Sequence, residues 1–242
     1  MEEGQSAHNF WGHQDFGSNQ EGSAELAAIF NGKNVFDNPK PIKLLKALIK
    51  ISTSENDIVL DFFGGSGSAA HAVFELNKED GHNRKFILIQ LPEKISETEE
   101  AFKLGFKTIA EVTKARLTKI VNSYNNKIKS GLNFDKCRPL GFRYFQLASS
   151  NFKIWRGDFL ETEEDIIKQL HIFNTLEKEN VRTDNIAWEI AIKNGIPLTS
   201  QYQSLQINED TFYFFPEKKL IIAPGSINLT SAKELIKKQK VK

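Results

Sequence analysis

The densest chemical signal in the chain is the run Asp61-Phe62-Phe63-Gly64-Gly65-Ser66-Gly67. Glycines let a backbone approach a ligand closely and supply positive φ. A helix that starts just after them adds unpaired N–H groups and the positive end of its dipole. Asp61 can accept hydrogen bonds from an ammonium or a hydroxyl group. Two ligands fit this spacing. Gly65-x-Gly67-x-x-Ala70 matches the dinucleotide fingerprint, which also asks for an acid at the end of the next strand. Gln90 stands there, with Glu93 three residues on. S-adenosylmethionine carries an ammonium and no phosphate, and gives Asp61 a use. No Lys-Ser/Thr pair follows the glycines, which speaks against a nucleotide triphosphatase loop. The plain alternative is a strand–helix turn whose glycines only pack.

Position decides what such a turn can hold. Residues 57–63 read as a short, nearly all-apolar strand of a buried parallel sheet. Residues 68–76 are Ala-rich and helical, and residues 85–91 form a second buried strand. Together they predict a βαβ unit, with its ligand crevice at the carboxyl ends of the strands. Upstream, residues 1–22 form a polar arm that Phe10, Trp11 and Phe16 can pin. A helix over 23–30 stops at Asn31-Gly32. A stiff turn with Asn38, Pro39, Lys40 and Pro41 then leads into a helix over 42–51, with Ile42, Leu45, Leu48 and Ile49 on one face. Downstream, an amphipathic helix is expected over 108–127 and a third strand over 142–147.

The character changes after Trp155. An acidic helix over 162–173, a helix over 184–193, three short strands near Leu205, 212–215 and 220–223, and a closing helix from Thr230 predict a small α+β domain. The boundary is placed near 157–160, dividing the chain into residues 1–157 and 158–242. The first part is expected to be a partial Rossmann-like α/β sheet with a polar N-terminal arm.

Bulk properties narrow the setting. The 242 residues are 40% apolar and 26% charged, with a formal net charge of +1. Lone Cys137 excludes an internal disulfide framework and a cysteine-cluster zinc site. The longest apolar runs, 86–89 and 220–223, are too short for a bilayer. A cytoplasmic protein without membrane contact is expected. The near-zero charge is a sum of opposites: residues 107–156 hold eleven bases and two acids, and residues 158–189 hold nine acids and three bases. The basic block suits nucleic-acid phosphates; its plain alternative is a solvated helix face. The five histidines are expected to face solvent.

The glycine run resembles the S-adenosylmethionine motif of amino-methylating DNA methyltransferases. The preceding Asn38-Pro39-Lys40-Pro41 resembles their second cofactor motif, which comes first in the permuted β-class. Narrower likenesses at residues 34–41, 84–93, 105–111, 141–155 and 195–199 resemble the modification subunit of type III restriction–modification systems, a family of adenine-N6 methyltransferases. The resemblance implies that Asp61, Phe62, Phe63, Gly64, Gly65, Ser66 and Gly67 cradle the methionine part of the cofactor. It implies that Asn38 and Lys40 lie across the pocket, with Lys40 near the methionine carboxylate. It also puts Gln90 where relatives use an acid against the ribose hydroxyls.

One part of the family pattern is absent. These enzymes hold the extruded adenine with an Asp-Pro-Pro-Tyr segment or a close variant. The chain has no two adjacent prolines. It is therefore expected to be the cofactor-binding, C-terminal portion of a modification subunit, inactive alone. Its expected partners are double-stranded DNA through the full enzyme, an N-terminal catalytic half or separate polypeptide, a restriction (Res) subunit, and a second copy of itself. Two other classes stay open. A nicotinamide-dependent oxidoreductase uses the same kind of turn, and a non-catalytic assembly module would use the region after 157.

Overall fold

The computed structural model describes residues 10–130, 139–153, 162–172, 178 and 181–239. Cys137, Trp155, Arg156 and the boundary expected at 157–160 lie outside them. The chain is mixed α/β with small sheets, and it divides into two compact units, Met1–Tyr144 and Phe145–Lys242.

The first unit opens with a single turn, α1 (His13–Phe16), followed by α2 (Asn19–Ile29). The described part of the polar arm, from residue 10, is thus helical at 13–16 and from 19, where a loop was expected. Trp11 stacks on Phe16 at 4.4 Å, and the Ser18 hydroxyl accepts the Glu21 N–H to start α2. Asn31 and Gly32 take positive φ and end it. Next come α3 (Ile42–Ser52), β1 (Ile58–Asp61), α4 (Ser68–Asp80) and β2 (Lys85–Leu88). β1 and β2 pair in parallel, with Asp61 opposite Leu88. The unit ends with α5 (Glu100–Lys103) and α6 (Ile109–Lys129). α6 starts on a capping box, with Thr108 and Glu111 each bonding the other's backbone.

The core follows from these faces. Ile42 and Ile49 of α3 pack on Ala72, Val73 and Leu76 of α4, with Val59 and Phe86 of the sheet beneath. Phe74 and Ala70 meet Leu117 on α6. The opposite sheet face is not the buried surface that the apolar strands predict. Ile58, Leu60 and Ile87 are 58%, 48% and 49% exposed, and both strands alternate in burial. Parallel sheets are ordinarily covered on both faces; here α4 covers one.

The strand predicted over 142–147 does not form. Leu140 gives its N–H to Asn125 Oδ1 and its carbonyl accepts from Asn125 Nδ2, both at 2.9 Å. Phe142 packs beside Leu117, and Lys114 sits 4.6 Å over the Tyr144 ring. An α6 side chain has taken the backbone groups of Leu140, and the segment lies along the helix instead of joining β2.

The second unit holds α7 (Glu163–Ile172), α8 (Thr183–Lys193), an antiparallel sheet of β3 (Gln203–Ile207), β4 (Asp210–Phe215) and β5 (Leu220–Ile222), and α9 (Leu229–Gln239). Trp188 of α8, partly buried, packs against the core, edge-on to Phe215 at 5.3 Å and to Tyr202 at 5.6 Å. Glu189 ties the preceding segment to α8: it accepts from Ser150 Oγ, from the Asn151 N–H and Nδ2, and from Lys193.

Candidate functional site

The glycine run forms the turn between β1 and α4. Asp61 ends β1, and its carboxylate accepts the Phe63 N–H at 2.9 Å. Gly64 donates its N–H to Ile89 O at 3.0 Å, so the turn begins by extending the parallel ladder. Gly65 and Gly67 then take φ of 50° and 81°. Gly67 is the N-cap of α4, and no side chain caps that helix. The first N–H groups of α4 therefore point out of the turn without a capping side chain. Phe62 and Phe63 are exposed beside it.

Three side chains hold the turn from behind. Gln90 accepts the Gly65 N–H at 2.7 Å, and its amide nitrogen donates to Leu91 O at 3.1 Å. The second N–H of the Gln90 amide has no protein partner among the described residues. Thr113 donates its hydroxyl to Gly65 O. Arg116, fully buried, donates to Ser66 Oγ at 2.9 Å, Ser68 Oγ at 2.8 Å and Ser66 O at 3.3 Å. Burial pulls the Arg116 guanidinium down to about 10, and the charge of Glu25 offsets this only in part.

The expected residues are partly gathered. Asp61 through Gly67 and Gln90 form one cluster at the carboxyl ends of β1 and β2. Phe36 links the second motif to it, since a Cβ on Gly65 would lie 3.3 Å from the Phe36 ring. Asn38 and Lys40 are exposed on the same segment, two and four residues further on. Pro39, between them, is buried against α2.

Arg116 departs from the surface charge expected of its block. Lys114, Lys119, Lys127 and Lys129 are exposed on α6, while Arg116 turns inward. The signal was there: Ile109, Val112, Arg116 and Ile120 recur at helical spacing, putting a cation on the apolar stripe. His71 is not solvent-facing either. Its Nδ1 lies 3.2 Å from Arg116, and its Nε2 lies 3.8 Å from Glu75. Arginine only donates, so Nδ1 is the acceptor and the imidazole proton sits on Nε2. The His71 imidazole leads the interactions that hold the Glu75 carboxyl down at about 2. A cavity of about 380 Å³ opens nearby between α2, α3 and α4, lined by Glu25, Ile42, Lys46, His71 and Glu75 among others. None of the expected site residues lines it. Among the described residues, no cluster of side chains could hold a metal ion, and no helix is long and apolar enough to cross a membrane.

Comparison with known proteins shows what the chain is similar to. Residues 1–103 match the N6/N4 DNA methylase family. That span covers the second motif, the turn, Gln90 and both parallel strands. More particularly, the chain resembles part of the Mod subunit of type III restriction–modification enzymes. It is 39% identical over 168 residues to the StyLTI Mod subunit of Salmonella typhimurium, covering 66% of this chain and 24% of that one. It is 31% identical over 212 residues to the EcoPI Mod subunit of Escherichia phage P1, covering 86% and 30%. The type II methyltransferase M.KpnI of Klebsiella pneumoniae is 38% identical over 100 residues, covering 41% and 24%. The matched parts of the chain thus span 24% to 30% of the length of these relatives.

Proposed function

We propose that this chain is the S-adenosylmethionine-binding portion of a site-specific DNA adenine-N6 methyltransferase of the type III modification kind. The observation that carries the reading is the turn itself. Positive-φ glycines join a parallel strand to an uncapped helix N-terminus, with Asp61 and Gln90 at the ends of the two paired strands. Asp61 offers a carboxylate to the methionine ammonium. The α4 N-terminus favours an anionic group, as the methionine carboxylate is. The remaining Gln90 N–H can serve a ribose hydroxyl. Lys40, exposed on the neighbouring segment, supplies a cation toward the carboxylate.

When bound, the cofactor supplies an electrophilic methyl group on sulfur. The residues described here hold and orient it; none is placed to accept a proton from an adenine amine. Holding the base falls to an Asp-Pro-Pro-Tyr segment that this chain lacks. The reading therefore includes a second polypeptide or further chain bearing that segment, with double-stranded DNA as substrate and a restriction subunit as partner, in the cytoplasm. The half-exposed face of Ile58, Leu60 and Ile87 supports this, because an apolar parallel sheet needs cover on both sides. The Rossmann-like sheet and the division into residues 1–157 and 158–242 belong to the same proposal.

The test is calorimetry of the purified chain. S-adenosylhomocysteine should bind and NAD should not. Binding of NAD alone would make the turn a dinucleotide site. Adenine methylation by this chain, with no second polypeptide, would refute the claim that it is inactive alone.

A further inference from the structure

We infer that Arg116 is the positioning residue of the cofactor turn: from α6 it grips both sides of the α4 N-terminus and holds the glycine backbone in its ligand-binding form. The inference rests on the proposed cofactor site and adds to it a residue outside the glycine motif.

The geometry has four parts. Arg116 has no exposed surface. Its terminal nitrogens reach Ser66 Oγ, Ser66 O, Ser68 Oγ and His71 Nδ1, at 2.9, 3.3, 2.8 and 3.2 Å. All of these acceptors belong to the turn or to the first turn of α4. No carboxylate forms an ion pair with Arg116 among the described residues, and its Nε has no hydrogen-bond partner. One helical turn earlier, Thr113 bonds Gly65 O, so α6 holds the glycine backbone at two successive points.

Energetics separates positioning from filling. A buried cation without a paired carboxylate costs several kcal/mol of desolvation, and apolar residues of similar volume commonly do better for stability alone. What the fork provides is geometric. Its donors fix Ser66 and Ser68 on either side of Gly67, whose φ of 81° an unrestrained chain would leave readily. The turn is then set before a ligand arrives, and binding bears less of the cost of ordering it. The guanidinium also adds positive charge beneath a helix end already suited to an anion.

The experiment uses the full chain with Arg116→Lys, Ser68→Ala and the double variant. Arg116→Lys keeps the charge and removes the fork; Ser68→Ala removes one Arg116 acceptor, the 3.1 Å contact between the Ser66 and Ser68 hydroxyls, and little volume. Three quantities are read: the circular-dichroism melt, amide hydrogen exchange at residues 64–68 without ligand, and the Kd for S-adenosylhomocysteine. Each single variant should stay folded, exchange faster at 64–68, and bind about tenfold more weakly, as expected for losing a hydrogen bond to a charged group. The double variant should bind no more weakly than Arg116→Lys, because one contact has been removed twice. If Arg116→Lys fails to fold, Ser68→Ala alone carries the test. Unchanged exchange or unchanged affinity in a folded single variant overturns the role of Arg116. A wild-type chain that binds no S-adenosylhomocysteine overturns the cofactor reading instead, so the two failures are distinct.

Discussion

At the scale of single residues, the site is held by hydrogen bonds that leave little slack. Gln90 shows how substitution separates its tasks. Gln90→Leu leaves the Gly65 N–H without its partner, and should cost about 1–3 kcal/mol in a urea melt. Gln90→Glu keeps an acceptor and should cost less. Glu189 gives a pH signature in the second unit. Burial pushes its carboxyl up, but hydrogen bonds from Lys193, Ser150 and Asn151 outweigh this and hold it down at about 2. A depressed acid contributes stability that is complete above its unfolded value, about 4.3, and lost as pH falls through its folded value. Thermal melts from pH 5 to pH 2 should therefore show falling stability, and Glu189→Gln should flatten that slope. Of these residues, the glycine run and Gln90 were legible from type and spacing. The bond from Gln90 to Gly65 was not, because position at a strand end does not say which way an amide turns.

At the scale of elements, signals that need only neighbours in sequence fared better than one that needs a partner strand. The stop at Asn31-Gly32 is a local rule, and α2 obeys it; α6 likewise starts where the amphipathic pattern over 108–127 places it. The alternation over 142–147 is also a local signal, but a strand needs a neighbour's edge, and Asn125 had already taken the Leu140 backbone. The approach of α2 to Pro39 is equally invisible in sequence. A Cβ on Gly22 would lie 2.3 Å from Pro39 O. Gly22→Ala must push α2 away from the segment bearing Asn38 and Lys40. It should cost about 1–3 kcal/mol by thermal melt and weaken S-adenosylhomocysteine binding as well.

At the scale of the whole molecule, the first unit carries an apolar sheet face that its own described elements leave open. Ile58→Ser and Ile87→Ser should each cost less than about 1.5 kcal/mol in the isolated chain, since both side chains are about half exposed. The same changes should abolish association with a polypeptide bearing the Asp-Pro-Pro-Tyr segment, measured by light scattering of the mixture. Apolar composition predicted burial here; only the structure shows which face goes without. The grip on the glycine turn also sets an order of events during folding. β1, α4 and β2 form from contacts within residues 58–88, so this part has low contact order and can fold early. The acceptors on Ser66 and Ser68 wait for a side chain 50 and 48 positions further along. On a ribosome the secondary structure of the site would thus be complete before its backbone is locked. Competence to bind ligand would arrive late, at the moment α6 docks.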